Sequence, residues 1–268
     1  MTLRTREMGT TQMESLTDPA LEIRELTVEY PVSGLAPVAV IDQLNLTLDA
    51  GTFLSVVGPS GCGKTTLAMA IAGLTAPTSG EIRCDGKLVV GPRPRRTSFI
   101  FQDSNLLNWR SVRKNVELPM EINGIPKKKR AEAADRALEI VGLSQVTNRR
   151  PSQLSGGMRH RVALARGLAM EPELLIMDEP FAALDEQTRN SMGEELLQIW
   201  EELRTTVVFI THSLSEALFL SDRVVAMGRG KIADDFRVDF PRPRDLDLMN
   251  QPEFVGLRHR LFEALDHS

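Results

Sequence analysis

The sequence predicts an α/β protein with a mostly parallel sheet, and three observations predict it. Apolar runs of strand length recur at residues 53–57, 174–177, 207–210 and 224–227. Between them lie stretches whose apolar residues return every three or four positions, the period of a helix face. The run GPSGCGKTT at residues 58–66 joins one such strand to one such helix. Alternation of this kind builds parallel strands joined by crossover helices.

The elements follow in order. Residues 1–20 are polar, Thr-rich and without periodicity, and read as a loose tail. From Leu21 the pattern is strand-like, with Leu21, Ile23, Leu26 and Val28, and later Leu44, Leu46 and Leu48, set among polar residues. Asp49-Ala50-Gly51 is a turn before the buried strand 53–57. After Lys64 the period changes, and Leu67, Ile71 and Leu74 mark a helix face. Residues 81–101 read as strands broken by Gly and Pro. The region around Gln102–Pro151 is mainly helical and interrupts the alternation, so it reads as an inserted helical lobe, about 103–157. In it Ala134, Leu138 and Val141 share a face that Gly142 closes. A helix should begin near Ser155, strand 174–177 should end in Asp178, and Met192, Leu196, Ile199 and Leu203 form a helical stripe of core packing. After Phe240 come Pro241-Arg242-Pro243-Arg244-Asp245 and a tail, 241–268, with a short helix.

Composition narrows the function classes. A chain of 268 residues suffices for one large domain or two modest lobes. A net charge of −4 gives no global basic field for nucleic acid or anionic lipid. No run of 18 apolar residues appears, so any membrane pore must come from partners. The N-terminus lacks the apolar centre of a secretory signal. Cys62 and Cys84 make no disulfide framework and suit a reducing compartment.

The pattern G-x-x-x-x-G-K-[ST] is met by Gly58, Gly63, Lys64 and Thr65, with Pro59, Ser60, Gly61, Cys62 and Thr66 completing the run. Glycines let backbone N–H groups converge on phosphate oxygens without a Cβ in the way. The helix that opens near Lys64 aims its positive dipole end at the same anion. Lys64 should reach the β- and γ-phosphates of ATP, and the Thr65 hydroxyl should ligate Mg²⁺. Cys62 is either a thiol activated by the helix terminus or a small residue that fits the loop. Leu174-Leu175-Ile176-Met177-Asp178-Glu179 is an apolar strand ending in two acids, at the edge where open α/β sheets bind ligands. Asp178 would hold Mg²⁺, and Glu179 would polarise the attacking water as general base.

With these, five further elements make the chain resemble the ATP-binding subunits of ABC transporters over roughly residues 21–240. Leu154-Ser155-Gly156-Gly157-Met158 is similar to that family's LSGGQ signature. Gln102, after Phe99-Ile100-Phe101, resembles the Q-loop glutamine, and Ala183-Leu184-Asp185 the D-loop. His212, after Phe209-Ile210-Thr211, stands where the switch histidine does. Tyr30, the only tyrosine, stands where an aromatic stacks on adenine, though a surface aromatic at a strand end remains the alternative. The resemblance implies a P-loop NTPase (RecA-like) core with an antiparallel β subdomain and the helical insertion. It implies a head-to-tail dimer with two ATP molecules between the copies. Ser155, Gly156 and Gly157 of one copy would bind the γ-phosphate held by the other. His212 would contact that phosphate and position the water, Gln102 would touch Mg²⁺ or the water, and Asp185 would communicate across the dimer. The helical lobe would offer a groove to a transmembrane permease subunit, and a substrate-binding protein would act upstream. The expected place is the cytoplasmic face of the inner membrane, peripherally attached.

Three departures are visible: Met158 and His160 where the family usually has glutamine, and Ser213 where aspartate usually follows the switch histidine. None is a phosphate or Mg²⁺ ligand. Leu106-Leu107-Asn108-Trp109-Arg110-Ser111-Val112 is similar to the LLPWRTV run of importers for nitrate, sulfonates, taurine and related compounds, with Asn108 in place of proline. The run from Phe181 to Arg189 and the PRPRD segment look like the same group. The alternatives are a soluble ABC ATPase acting on DNA or ribosomes, and a nucleotide-sensing regulator with little turnover. Lys127-Lys128-Lys129-Arg130 reads as a solvated helix start or a basic binding patch.

Overall fold

A computed structural model describes residues 18–266 apart from residue 35. Residues 1–17, most of the expected N-terminal tail, lie outside the described residues. Two sheets and a set of helices form the chain. β1 (Leu21–Tyr30), β2 (Val38–Leu48), β4 (Ser79–Cys84) and β5 (Lys87–Leu88) form an antiparallel sheet in the order β2-β1-β4-β5. The second sheet has six strands in the order β10-β9-β3-β8-β7-β6. In it β3 (Phe53–Val57), β6 (Thr97–Ile100), β7 (Leu174–Asp178), β8 (Thr206–Thr211) and β9 (Arg223–Gly228) are parallel. β10 (Lys231–Arg237) closes its edge antiparallel to β9.

The central strands are apolar throughout because both of their faces are covered. Leu54 and Val56 of β3 point into the core shared with α1 (Lys64–Ile71) and the antiparallel sheet, while Phe53 and Val57 point into the opposite core. β8 divides in the same way, with Val208 and Ile210 on the first side and Val207 and Phe209 on the second. The second core also holds the helical insertion, α2 (Val112–Val116), α3 (Leu118–Ile122), α4 (Lys127–Ile140) and α5 (Gly156–Leu168). α6 (Glu186–Leu203), α7 (Leu214–Leu220) and α8 (Pro252–Asp266) complete it.

Three expectations change. α1 ends at Ile71, and Gly73, at φ +72°, turns the chain, so Leu74 lies past the helix and is 49% exposed. The stripe on α6 is buried at Met192 and Leu196, half-buried at Ile199 and exposed at Leu203. Its core face instead runs through Met192, Leu196, Leu197 and Trp200, and Trp200 packs edge-on to Phe53 with ring centroids 5.6 Å apart. The short helix expected in the C-terminal tail is α8, 15 residues long, and the segment 241–266 packs on the rest of the chain. Arg242 lies 4.3 Å from the Trp200 ring centroid and pairs with Asp222 at 2.8 Å. Arg244 is buried and donates to the carbonyls of Leu218, Phe219 and Ser221 at the end of α7, and to those of Val238 and Phe240. Burial pushes its guanidinium down to about 10, far enough above neutral pH that it stays charged. Phe254 and Leu261 of α8 are fully buried in the second core.

Candidate active site

Three neighbouring parallel strands deliver the phosphate loop, the two acids and His212 to one edge of the sheet. β8 lies between β3 and β7, with Val57 level with Thr211 and Asp178 level with Ile210. The phosphate loop therefore leaves β3, His212 leaves β8, and Asp178 and Glu179 leave β7, all at the carboxyl ends where an α/β sheet binds ligands.

The loop needs its glycines for different reasons. A Cβ on Gly58 would stand 2.3 Å from the Met227 carbonyl oxygen of β9 and 2.7 Å from Cys62 Sγ. Gly61 and Gly63 sit at φ +81° and +106°, where side chains are strained. Lys64 is buried, and its Nζ donates to the carbonyls of Gly58 and Pro59, each at 2.9 Å, which folds the loop over the start of α1. Cys62 is buried too; burial pushes its thiol up despite the nearby Lys64, so it is no activated thiolate. Ser60, Gly61, Gly63, Lys64, Thr65 and Thr66 line a cavity of about 290 Å³ together with Glu179 and Val40.

The acids and their partners are joined directly. Thr65 Oγ1 donates to Asp178 Oδ1 at 3.2 Å. Asp178 is buried, and burial pushes its carboxyl up; the Thr65 hydroxyl offsets this, while Glu179 adds to it. Hydroxyl and carboxylate oxygens are hard donors of the kind that hold Mg²⁺, which otherwise keeps water and phosphate oxygens around it. His212 Nδ1 lies 3.2 Å from Glu179 Oε2. Glu179 itself sits at φ +47°, an uncommon place for a non-glycine residue, with its N–H bonded to the Ile210 carbonyl. β8 thus holds Glu179 by its backbone and His212 holds it by its side chain.

Gln102 is exposed two residues beyond β6, and no hydrogen bond joins it to the other predicted residues among the described residues. Tyr30 ends β1 opposite Val38, and is 41% exposed on the strand pair that supplies Val40 to the cavity. Ser155, Gly156, Gly157 and Asp185 stand apart from the phosphate loop. They line a second cavity of about 780 Å³, which shares no residue with the first. Ser155 caps α5, its Oγ accepting from Met158 N at 3.3 Å. Asp185 caps α6 by accepting from Thr188 N and Oγ1, and those hydrogen bonds hold its carboxyl below the usual range. A further cavity, of about 620 Å³, lies at the opposite ends of the strands and is lined by no predicted site residue.

The departures have local structural roles. Ser213 caps α7, its Oγ accepting from Glu216 N at 3.3 Å. Met158 packs against the second core, and His160 Nδ1 meets the Gly156 carbonyl at 3.0 Å. Sequence reasoning missed Val40, Asn115, Arg189 and Glu216. Buried Asn115 exchanges hydrogen bonds with Leu107 and donates to the carbonyls of Arg110 and Ser111, which fixes the loop carrying exposed Trp109. Val40, Arg189 and Glu216 take their places through segments distant in sequence, whereas Asn115 acts locally, on residues four to eight positions before it.

The family model described as ABC transporter matches residues 41–182. An uncharacterised ABC transporter ATP-binding protein of Methanocaldococcus jannaschii is 46% identical over 247 residues, which are 91% of each chain. A nitrate import ATP-binding protein of Synechococcus elongatus is 44% identical, over 86% of this chain and 85% of its own. A bicarbonate transport ATP-binding protein of a Synechocystis strain is 41% identical, over 95% of this chain and 92% of its own. Among solved structures, a dimeric ATP-binding cassette in a post-hydrolysis state, bound to ADP and phosphate, superposes with a TM-score of 0.73 at 29% identity. It covers 82% of this chain and 100% of its own. A component of an ABC transporter complex from Clostridium perfringens gives a TM-score of 0.76 at 26% identity, over 91% of this chain and 95% of its own.

Proposed function

This chain belongs to the ABC transporter family as an ATP-binding subunit that hydrolyses ATP, and from that premise we propose that it is the motor of an importer of the nitrate type. One observation carries the mechanism. The phosphate loop and the signature residues 155–157 line separate cavities of one chain, which supports reading each as half of a site. A second copy placed head to tail completes both halves. The N-terminus of α5, with Gly156 and Gly157 letting the backbone approach, then faces a γ-phosphate held by the partner's phosphate loop. ATP closes the dimer, and hydrolysis removes the bridging contacts.

Within each site the roles follow from chemistry. Lys64 exchanges its loop carbonyls for β- and γ-phosphate oxygens. Glu179 accepts the proton of the water whose oxygen attacks the γ-phosphorus, and the bond to the ADP oxygen breaks. His212 orients Glu179 and contacts the γ-phosphate. Thr65 and Asp178, with Gln102, would hold Mg²⁺, which when bound neutralises phosphate charge. Tyr30 stacks on adenine, beside Val40. Asp185 carries contacts across the dimer. Permease subunits dock on the helical lobe, hold the protein at the cytoplasmic face of the inner membrane, and receive substrate from a binding protein. No helix among the described residues is long and apolar enough to cross a membrane.

Glu179→Gln tests this reading by gel filtration with ATP. The variant should elute as a dimer with ATP and lose turnover by roughly 10²–10⁴-fold, the range for a removed general base. Ser155→Arg added to it should return the dimer to monomer while each monomer still binds nucleotide. A Glu179→Gln protein that stays monomeric with ATP and still hydrolyses it would falsify the assignment. Purification from membranes with coexpressed nitrate-type permease subunits tests the transport role, and their absence from the purified complex would refute it.

A further inference from the structure

A chain of polar contacts runs beneath the proposed site and touches two of its loops. Arg189 lies in the first turns of α6. Its Nη2 donates to the Leu184 carbonyl, next to Asp185, at 2.9 Å. Its Nε lies 3.3 Å from Glu216 Oε1 on α7. The other carboxylate oxygen, Glu216 Oε2, accepts from Thr211 Oγ1 at 2.6 Å. That hydroxyl in turn accepts from Ser213 N at 3.0 Å, and Ser213 Oγ accepts from Glu216 N at 3.3 Å. Thr211 and Ser213 bracket His212, whose ring meets Glu179.

Geometry and environment set these residues apart from ordinary surface pairs. The Arg189 and Glu216 side chains are 25% and 12% exposed, so the pair lies partly out of water, where a charge contact is stronger. Arg189 Nε is itself buried without an aligned hydrogen bond, so the guanidinium is held by charge at one end and by the Leu184 carbonyl at the other. Removing either partner strands a partly buried charge. The two ends of the contact chain belong to loops separated in sequence by α6 and β8, one before α6 and one after β8.

We propose that Arg189 and Glu216 form a strut that sets the position of the His212 loop relative to Leu184 and Asp185, and so act as positioning residues in ATP hydrolysis. This inference rests on the roles proposed above for His212 and Asp185. A contact made by a second copy at Asp185 then bears on the loop that orients Glu179, through two side chains of one protomer. The strut touches neither the phosphate loop nor the adenine edge, so it acts on turnover and leaves nucleotide affinity in place.

Steady-state ATP hydrolysis by the full chain tests the strut, in Arg189→Ala, Glu216→Ala, their combination, Glu216→Gln and Arg189→Lys. Nucleotide binding is followed with a fluorescent ATP analogue, and folding by melting temperature. Each alanine variant should lower kcat about tenfold while KM for ATP stays within about twofold, as expected for a coupled pair acting after binding. The double variant should be no slower than the slower single. Glu216→Gln keeps an acceptor for Thr211 and Arg189→Lys keeps the charge, so each should retain more activity than its alanine counterpart. These two also carry the test if an alanine variant fails to fold. The strut is overturned by kcat values within twofold of the parent protein, by losses that multiply in the double variant, or by loss of nucleotide binding in step with kcat. His212→Ala separates the two levels. If it leaves hydrolysis intact, the catalytic reading fails; if it abolishes hydrolysis while the strut variants do not, the strut alone fails.

Discussion

Gly58→Ala should damage this protein out of proportion to the single methyl group it adds. Gly58 follows β3 directly, and β3 is hydrogen-bonded to β9 on one side and β8 on the other. The added Cβ would lie 2.3 Å from the Met227 carbonyl oxygen, closer than real Cβ contacts come. Met227 cannot retreat, since β9 is held between β3 and β10. Cys62 Sγ, at 2.7 Å from the new Cβ, blocks the other direction. The phosphate loop must therefore move by roughly 1 Å, and a displacement of that size can cost about 10²-fold in turnover. Overpacking adds about 1–3 kcal/mol of destabilisation. Gly256→Ala is the matched control. It lies within α8, where a Cβ meets nothing within 4 Å, so it should stabilise by up to about 1 kcal/mol and leave turnover alone. Phosphate release assays and thermal melts on the two variants read both quantities. If Gly58→Ala hydrolyses ATP at the parent rate and melts at the parent temperature, the close approach of the loop to β9 is wrong.

Other variants probe other parts of the structure. Lys64→Ala removes a charge-assisted phosphate contact and should abolish most ATP affinity or turnover; isothermal titration and hydrolysis assays check it, and unchanged values would refute the role. Phe254→Ala should destabilise the protein by about 3–5 kcal/mol, because its ring is fully buried and lies 5.6 Å from that of Phe240. A loss below about 1 kcal/mol in denaturant melts would mean that α8 is not docked. Burial pushes the Glu216 carboxyl up; Thr211, Arg189 and His212 offset this, and Glu179 adds to it. Arg258 and Glu186 line the same cavity. The native chain thus holds the Glu216 proton more tightly than the unfolded chain does. Its stabilising contribution is complete below the unfolded value of about 4.3 and is lost as pH rises through the higher native value. The stability of the parent protein relative to Glu216→Gln, which cannot titrate there, should fall as pH is raised through that range. A constant difference in melts across it would refute the raised carboxyl.

Much of this was legible in the chain because it is local. The parallel core announces itself through apolar runs such as 207–210, since a strand buried on both faces must be apolar at every position. The phosphate loop is legible because its glycines, lysine and threonine fall at a fixed spacing within nine residues of backbone. The acids at 178 and 179 are legible because a strand end fixes where they emerge. Helix ends were less clear: periodicity runs through Leu74 and Leu203, yet Gly73 and the margin of the core decide where burial stops.

The sequence by itself determined the local chemistry: which residues can cradle phosphate, which acids stand at a strand end, and which strands must be buried. Tertiary structure decided the rest. Strand order alone brings His212 to Glu179, by placing β8 between β3 and β7. Folding also separates the signature residues from the phosphate loop, packs Phe254 and Leu261 of the C-terminal segment into the core, and brings Arg189 to Glu216. The physical reason is common to all of these. Each depends on how segments far apart in the chain are placed in space, and such placement leaves no spacing or period in either segment to be read.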